Sequence, residues 1–485
     1  MTTIEAKTIS GAVRGSVEDG VARYLGIPYA AAPFGANRFR PAQPHPGWSG
    51  VRDALEFGAT SPGPPYPHGF RDVLPEPKVA GEEILNVNVW APEGASDAPV
   101  MVFIHGGAFI NGSNAVSVYD GTAFARDGVV MVGINYRLGA EGFLKLPDGP
   151  ANLGMLDQVA ALTWVRDNIA AFGGDPGQVT VFGESAGAMS IGTLLAMPAA
   201  EGLFRRAILQ SGAGHHAHTA ATADKLAAVV AEQVGVPVAE LAQIAPERLV
   251  EAHLALLKEL RTAPDPERFG EAAANSLIYL PVIDGETLPG LPIERIAAGA
   301  GHGVDVLIGT TREEVHLFTV AGGMTEFVTD EAVDGFVAMH GLPGDATDRY
   351  RAARPDGAPW EVLSDVMTDQ LFRIPAVRLA EAHGRAWVYE FGWPVAGLGG
   401  QMRACHAAEL GFVFDTLAAS EGMNGPDAPQ ELADAMHSAW VAFGTTGDPG
   451  WERYGAARNV RSFGTAVETV ADPRGDTREL WTGLR

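Results

Sequence analysis

The sequence has a single cysteine, Cys405, among 485 residues. One thiol can form no intramolecular disulfide and no multi-cysteine metal site. Basic residues are also scarce: 34 Lys and Arg stand against 59 Asp and Glu, a formal net charge of −25. Such a surface repels phosphate backbones, and no basic patch offsets it, which argues against nucleic-acid partners. No uninterrupted apolar run approaches the roughly 18 residues of a membrane span. Met1–Ser10 has neither the charged nor the apolar region of a signal peptide. The expectation is a soluble cytoplasmic protein with no membrane partner.

Hydrophobic residues make up 46% of the chain and charged ones 19%, enough for a large ordered core. Short apolar runs recur at Val100–Ile104, Val129–Ile134, Val179–Phe182, Ala207–Leu209, Val304–Ile308 and Trp387–Phe391. Runs of this length without alternation suit strands buried on both faces, as in a parallel sheet. Between the second and third lies Asn152–Phe172, with Met155, Val159, Leu162, Val165, Ile169 and Phe172 at helical spacing before Gly173-Gly174-Asp175-Pro176. This strand–helix–strand order predicts an α/β fold with a mostly parallel central sheet and helices on both faces. Ala217–Leu260 and Glu431–Phe443 also read as helical, and the proline-rich Ser61–Pro77 as an irregular surface loop. The reading is one domain, with helical insertions around 217–300 and 320–380.

The sharpest motif is Gly183-Glu184-Ser185-Ala186-Gly187, directly after the strand Val179–Phe182 and before the helical stretch Ala188–Met197. In that setting G-x-S-x-G is a nucleophile elbow: glycines permit a tight turn that leaves the serine oxygen exposed. The alternative is a plain capping serine at a strand-to-helix turn. At a helix N-terminus the free N–H groups and the dipole favour developing negative charge.

A serine hydroxyl needs a base. In an α/β-hydrolase order the acid and then the histidine follow the serine, each beyond the carboxyl end of a strand. The run Val304–Ile308 leads to Glu313-Glu314, and Trp387–Phe391 leads, after a glycine-rich loop, to His406. His406 is therefore the expected base. The HHxH cluster of His215, His216 and His218 lacks carboxylate partners for a metal and reads as a rim or substrate loop. His302 and His316 read as solvated loop histidines. His105-Gly106-Gly107-Ala108-Phe109, after Val100–Ile104, is an HGG-type loop. With Ala186 it would aim the N–H groups of Gly107, Ala108 and Ala186 at a developing oxyanion. A plain βα turn is the other reading. A phosphate loop is not, since no Gly-Lys-Ser/Thr follows.

These motifs, with YLGIPYAAAPFGANRFRPAQP, EILNVNVWAP, INYRLGAEGFL, NLGMLDQVAALTWVRDNIAAFGGDP, GTTREEVHLF and HAAELGFVF, run in order from Gly11 to Pro449. The sequence resembles the type-B carboxylesterase family, which includes cholinesterases and bacterial para-nitrobenzyl-type esterases. The resemblance implies an α/β-hydrolase fold and a triad of Ser185, Glu314 and His406, the acid being the second of the two adjacent glutamates. Val315 replaces the glycine usual after that glutamate. Glu184 and Ser211 resemble positions that hydrogen-bond around the triad, and Cys405, beside His406, reads as a small buried neighbour rather than a nucleophile. Glu82-Glu83-Ile84-Leu85 stands where secreted members carry a disulfide cysteine, in keeping with a reducing compartment.

The resemblance further implies hydrolysis of small-molecule carboxylic esters without metal or cofactor, in a gorge walled in part by Phe109 and the Ser61–Pro77 loop. That loop has no tryptophan to serve as a cation–π platform. Acyl transfer, lactone opening, amide or carbamate hydrolysis, and a catalytically silent binding module are the alternatives on this scaffold.

Overall fold

The computed structural model describes residues 2–484. The strands of its main sheet are β1 (Thr2–Thr8), β2 (Gly11–Glu18), β3 (Val21–Pro28), β4 (Val51–Asp53), β5 (Asn86–Pro92), β6 (Ala98–Ile104), β7 (Val130–Ile134), β8 (Gly174–Glu184), β9 (Arg206–Gln210), β10 (Asp305–Thr311), β11 (Trp387–Phe391), β12 (Asn459–Phe463) and β13 (Val467–Ala471). They form one sheet in the order β1-β2-β3-β5-β7-β6-β8-β9-β10-β11-β12-β13, with β4 beside β2. From β7 through β12 every pairing is parallel. The outer pairings along this order, β1 through β7 on one side and β12 with β13 on the other, are antiparallel, while β4 runs parallel to β2.

Alternation along each strand divides the core in two. Val100, Val102 and Ile104 of β6, with Val179 and Val181 of β8, face one layer. Met101, Phe103 and Phe182 face the other. The first layer is covered by α1 (Leu153–Asn168), α2 (Ala186–Leu194), α3 (Ala220–Val234) and α4 (Pro246–Thr262). Farther along the chain lie α5 (Asp330–Met339), α6 (Ala346–Ala353), α7 (Pro359–Thr368) and α8 (Ile374–His383), and α9 (Gln430–Thr446) covers the second layer. This is the mostly parallel sheet between helices that the apolar runs predict. Helix α1 ends four residues before the expected Phe172, its last turn tightening to 3₁₀ geometry over Ile169–Phe172. Gly173 at φ 84° then turns the chain into β8.

Helices α5 to α8 share a small core of their own, built on Val333, Val337, Tyr350, Val362, Val366 and Ile374 and closed by Leu480 and Trp481 of the C-terminal segment. That segment is fastened by polar bonds as well. Arg378 donates to the carbonyls of Trp481 at 2.8 Å and Leu484 at 2.6 Å, and Trp481 Nε1 donates to the Tyr350 hydroxyl at 2.9 Å. The Tyr350 hydroxyl reaches Asp369 Oδ2 at 2.7 Å in a π-helical turn, Asp369–Arg373, joining α7 to α8.

Candidate active site

The carboxyl ends of β6, β8, β9, β10 and β11 open onto one edge of the sheet, where an open α/β fold binds its ligands. At the end of β8, Ser185 adopts φ 56° and ψ −122° before α2 begins at Ala186. This conformation costs a non-glycine residue about 1–3 kcal/mol and is typical of functional turns. The elbow holds because its surroundings leave no alternative. A Cβ on Gly187 would lie 1.9 Å from the Ile104 carbonyl, so only glycine lets α2 start this close to β6. The Ser185 N–H donates to Gln210 at 2.8 Å, and its carbonyl accepts from Met189 at 2.8 Å.

The loop after β6 lies against the elbow: a Cβ on Gly106 would come within 2.9 Å of Ser185 Cβ. Gly107, Ala108 and Phe109 have φ of 113°, 54° and 61°, three successive residues outside the right-handed regions that bend the loop sharply. Among the described residues, neither Gly107 nor Ala108 donates its N–H to a protein acceptor. Ala186 opens a helix, so its N–H has no intrahelical partner either. Burial pulls His105 down to about 4, so it stands neutral, stacked on Tyr136 and hydrogen-bonded to Gly106 at 2.9 Å. Phe109, expected in a gorge wall, is instead fully buried and packs edge-on against Phe143. Its ring anchors the loop to the core.

Glu314 and His406 meet across the same edge. Glu314 follows β10, and its Oε1 accepts the Thr311 N–H at 2.9 Å while Oε2 lies 2.6 Å from His406 Nδ1. Glu313, the neighbouring carboxylate, turns away to Ala404 and Arg354. The other imidazole nitrogen, Nε2, lies 3.0 Å from Glu184 Oε1, an ion-pair contact without hydrogen-bond alignment. Among the described residues the Ser185 hydroxyl makes no hydrogen bond to His406 in this arrangement. Phe318 and Phe372 flank the ring, with centroids 5.1 and 4.9 Å away. Phe70 from the proline-rich loop packs 6.3 Å from Phe318, so that loop reaches the site through a phenylalanine.

Sequence reasoning missed Glu409, which is fully buried three residues after His406, at the end of a non-helical turn through Ala407 at φ 66°. Gln210 donates to its Oε1 at 3.2 Å, and its Oε2 has no partner among the described residues. Burial, then the charges of Glu184 and Glu314, push its carboxyl up to about 8. Burial likewise lifts Glu184 to about 7 against the pull of His406. For His406 burial acts downward, but Glu184 and Glu314 outweigh it and raise the imidazole to about 9. The spacing His406-x-x-Glu409 was the available signal. Ser211, expected to bond around the site, is buried at φ 55° with its hydroxyl unpartnered among the described residues.

The remaining histidines sort by burial. His316, read as a solvated loop residue, is fully buried and bonds Gln401 at 3.1 Å, because the chain turns inward at once into a short helix. His216 and His218, read as a rim, are buried beneath the helical excursion, His218 Nε2 lying 3.0 Å from the Leu277 carbonyl. Cys405 is buried 3.5 Å from the Met423 sulfur. No group of three or more His, Cys, Asp or Glu among the described residues could hold a metal ion.

Residues 2–462 match the model of the carboxylesterase family. The chain belongs to the carboxylesterase family. This carboxylesterase is a carboxylic ester hydrolase. It is 39% identical to the para-nitrobenzyl esterase of Bacillus subtilis (strain 168), over 99% of this chain and 98% of that protein. The phenmedipham hydrolase of Pseudarthrobacter oxydans is 36% identical over 96% and 95%. Among solved structures, a carboxylesterase of Geobacillus stearothermophilus superposes with a TM-score of 0.85 at 36% identity, covering 99% of this chain and all of that one. No helix among the described residues of the carboxylesterase is long and apolar enough to cross a membrane.

Proposed function

We propose that this carboxylesterase works through an acyl-enzyme on Ser185, with His406 as base and Glu314 as the acid that orients it. The observation that carries the reading is the buried 2.6 Å contact of Glu314 with His406 Nδ1, made beside the strained serine turn. That contact fixes the tautomer with Nδ1 protonated and leaves Nε2 as the proton acceptor. For attack, the imidazole pivots about the Glu314 contact and brings Nε2 from Glu184 to the Ser185 hydroxyl, a bond that tightens only with substrate bound. Serine Oγ then bonds to the ester carbonyl carbon as its proton passes to Nε2. The carbonyl oxygen gains the charge and is met by the N–H groups of Gly107, Ala108 and Ala186, each worth about 3–4 kcal/mol to the transition state.

Collapse of the tetrahedral species expels the alcohol, which takes the proton from His406. Water then gives a proton to the same nitrogen and attacks the acyl-enzyme, releasing the carboxylic acid and the free serine. Glu314 holds the imidazole in place and stabilises the imidazolium. The substrates are uncharged esters of modest size, because the walls nearest the imidazole are the rings of Phe318 and Phe372. The single buried cysteine suits the reducing cytoplasm.

The test is turnover of para-nitrophenyl acetate and butyrate by the wild type and Ser185→Ala. The variant is expected to lose at least a thousandfold in kcat, on the scale of losing a triad member. Equal turnover by the two proteins overturns the reading, and product analysis with added alcohols separates hydrolysis from acyl transfer.

A further inference from the structure

The two adjacent glutamates after β10 do different work. His406 stands on a long connection after β11 that carries Gly399 and Gly400 at φ 72° and 77° and Arg403 at φ 50°. Such a connection has little regular structure of its own to hold an imidazole in place. It is tied instead to the turn at Glu313-Glu314. The Glu313 N–H donates to the Ala404 carbonyl at 2.9 Å, and the Ala404 N–H donates back to Glu313 Oε2 at 3.2 Å. The His406 N–H donates to the Glu314 carbonyl at 3.3 Å. Glu313 thus holds Ala404, two residues before the imidazole, by both its main chain and its carboxylate.

The second carboxylate oxygen, Oε1, accepts from Arg354 at 3.4 Å. Arg354 in turn bonds Asp365 at 2.6 and 2.9 Å and lies 3.6 Å from Glu361, which pairs with Arg403 at 3.1 Å. Three guanidinium groups (Arg312, Arg354, Arg403) face three carboxylates (Glu313, Glu361, Asp365), so the cluster is charge-balanced. Only about 7% of Glu313 is exposed, and such a shielded ion pair is screened far less than a surface one.

We propose that Glu313 is a positioning residue: its carboxylate locks the Ala404 peptide to Arg354 between α6 and α7 and thereby sets the imidazole of His406 against Glu314. It touches neither the imidazole nor the serine and acts through the main chain alone. The inference rests on the proposed roles of Ser185, Glu314 and His406. Misplacement of a reacting group by about an ångström costs on the order of a hundredfold, so partial loosening here is expected to cost about tenfold.

The test compares the full-length wild type with Glu313→Ala and Glu313→Gln on para-nitrophenyl butyrate. Rates are normalised to active sites titrated with a fluorophosphonate, which phosphonylates the serine and releases fluoride. Glu313→Ala is expected to lose about tenfold in kcat per titrated site with KM unchanged, while Glu313→Gln, whose amide oxygen still accepts from Ala404, recovers most of it. The acid limb of the pH–rate profile should also fall in Glu313→Ala, as the imidazole loses its close contact with Glu314. The charged groups facing His406 are Glu184, Glu314 and Glu409, so Glu313 moves that limb only by way of position. A wild-type kcat per site and an unmoved acid limb in Glu313→Ala overturn the proposal, as does a loss fully explained by fewer titrated sites. Glu314→Ala runs in parallel: wild-type turnover there removes the triad reading itself, whereas wild-type turnover in Glu313→Ala alone removes only the clamp.

Discussion

His406 Nε2, the nitrogen proposed to take the Ser185 proton, lies 3.0 Å from Glu184 Oε1 in this structure. The contact has a kinetic signature. In the proposed mechanism only the neutral imidazole accepts the serine proton, so activity is expected to fall as pH drops through the His406 pKa, which Glu184 and Glu314 push up to about 9 against burial. Glu184→Gln removes one of those charges and leaves a neutral group of the same shape. The acid limb of kcat/KM is therefore expected to move toward the ordinary histidine value of about 6.5. A limb that stays in place would show that Glu184 does not face the imidazole in the working enzyme. Glu409 belongs to the same charge problem: burial and the charges of Glu184 and Glu314 raise its carboxyl, so the buried carboxylates around the imidazole titrate together rather than one by one.

Among the elements, β8 and α1 carry the clearest lesson. The apolar runs of β6 to β11 are legible because a strand buried on both faces has no room for polar residues. Strands β1 to β4 and β13 are not, since each mixes polar and apolar residues, as the largely exposed Val467–Ala471 illustrates. At the site, the serine turn and the HGG loop were readable from glycines that the geometry demands. Glu313 and Glu314 could not be told apart by spacing, because a turn decides which carboxylate points inward. The helix α1 predicted by periodicity also carries a charge that periodicity ignores. Asp157 is fully buried and bonds Arg137 at 2.7 and 2.6 Å and the Arg137 N–H at 3.1 Å. Asp157→Ala strands the buried guanidinium and is expected to cost about 3–5 kcal/mol, read as a lower urea midpoint with the slope unchanged. A midpoint within error of the wild type would mean that water reaches Arg137.

At the scale of the whole molecule, the C-terminal segment closes the small core of α5 to α8, and the π-helical turn of that group carries Phe372 to within 4.9 Å of the His406 ring. Trp481 is only 3% exposed within that core. Trp481→Ala is expected to lose about 3–5 kcal/mol. Because the group has its own core, the loss should fall on it locally: backbone amides of α7 and α8 exchange hydrogen faster while those of β6 and β8 keep their protection. Uniform acceleration across the sheet would instead make the molecule a single cooperative unit.

That fastening also tells where the enzyme tolerates being handled. A support or fusion joined near Trp481 pulls on Arg378, on the Tyr350–Asp369 bond and so on the ring beside the imidazole. Strand β1 lies at the far border of the sheet, mostly solvent-facing and paired only with β2. Immobilised by that border, the enzyme would carry mechanical load where no residue of its chemistry resides.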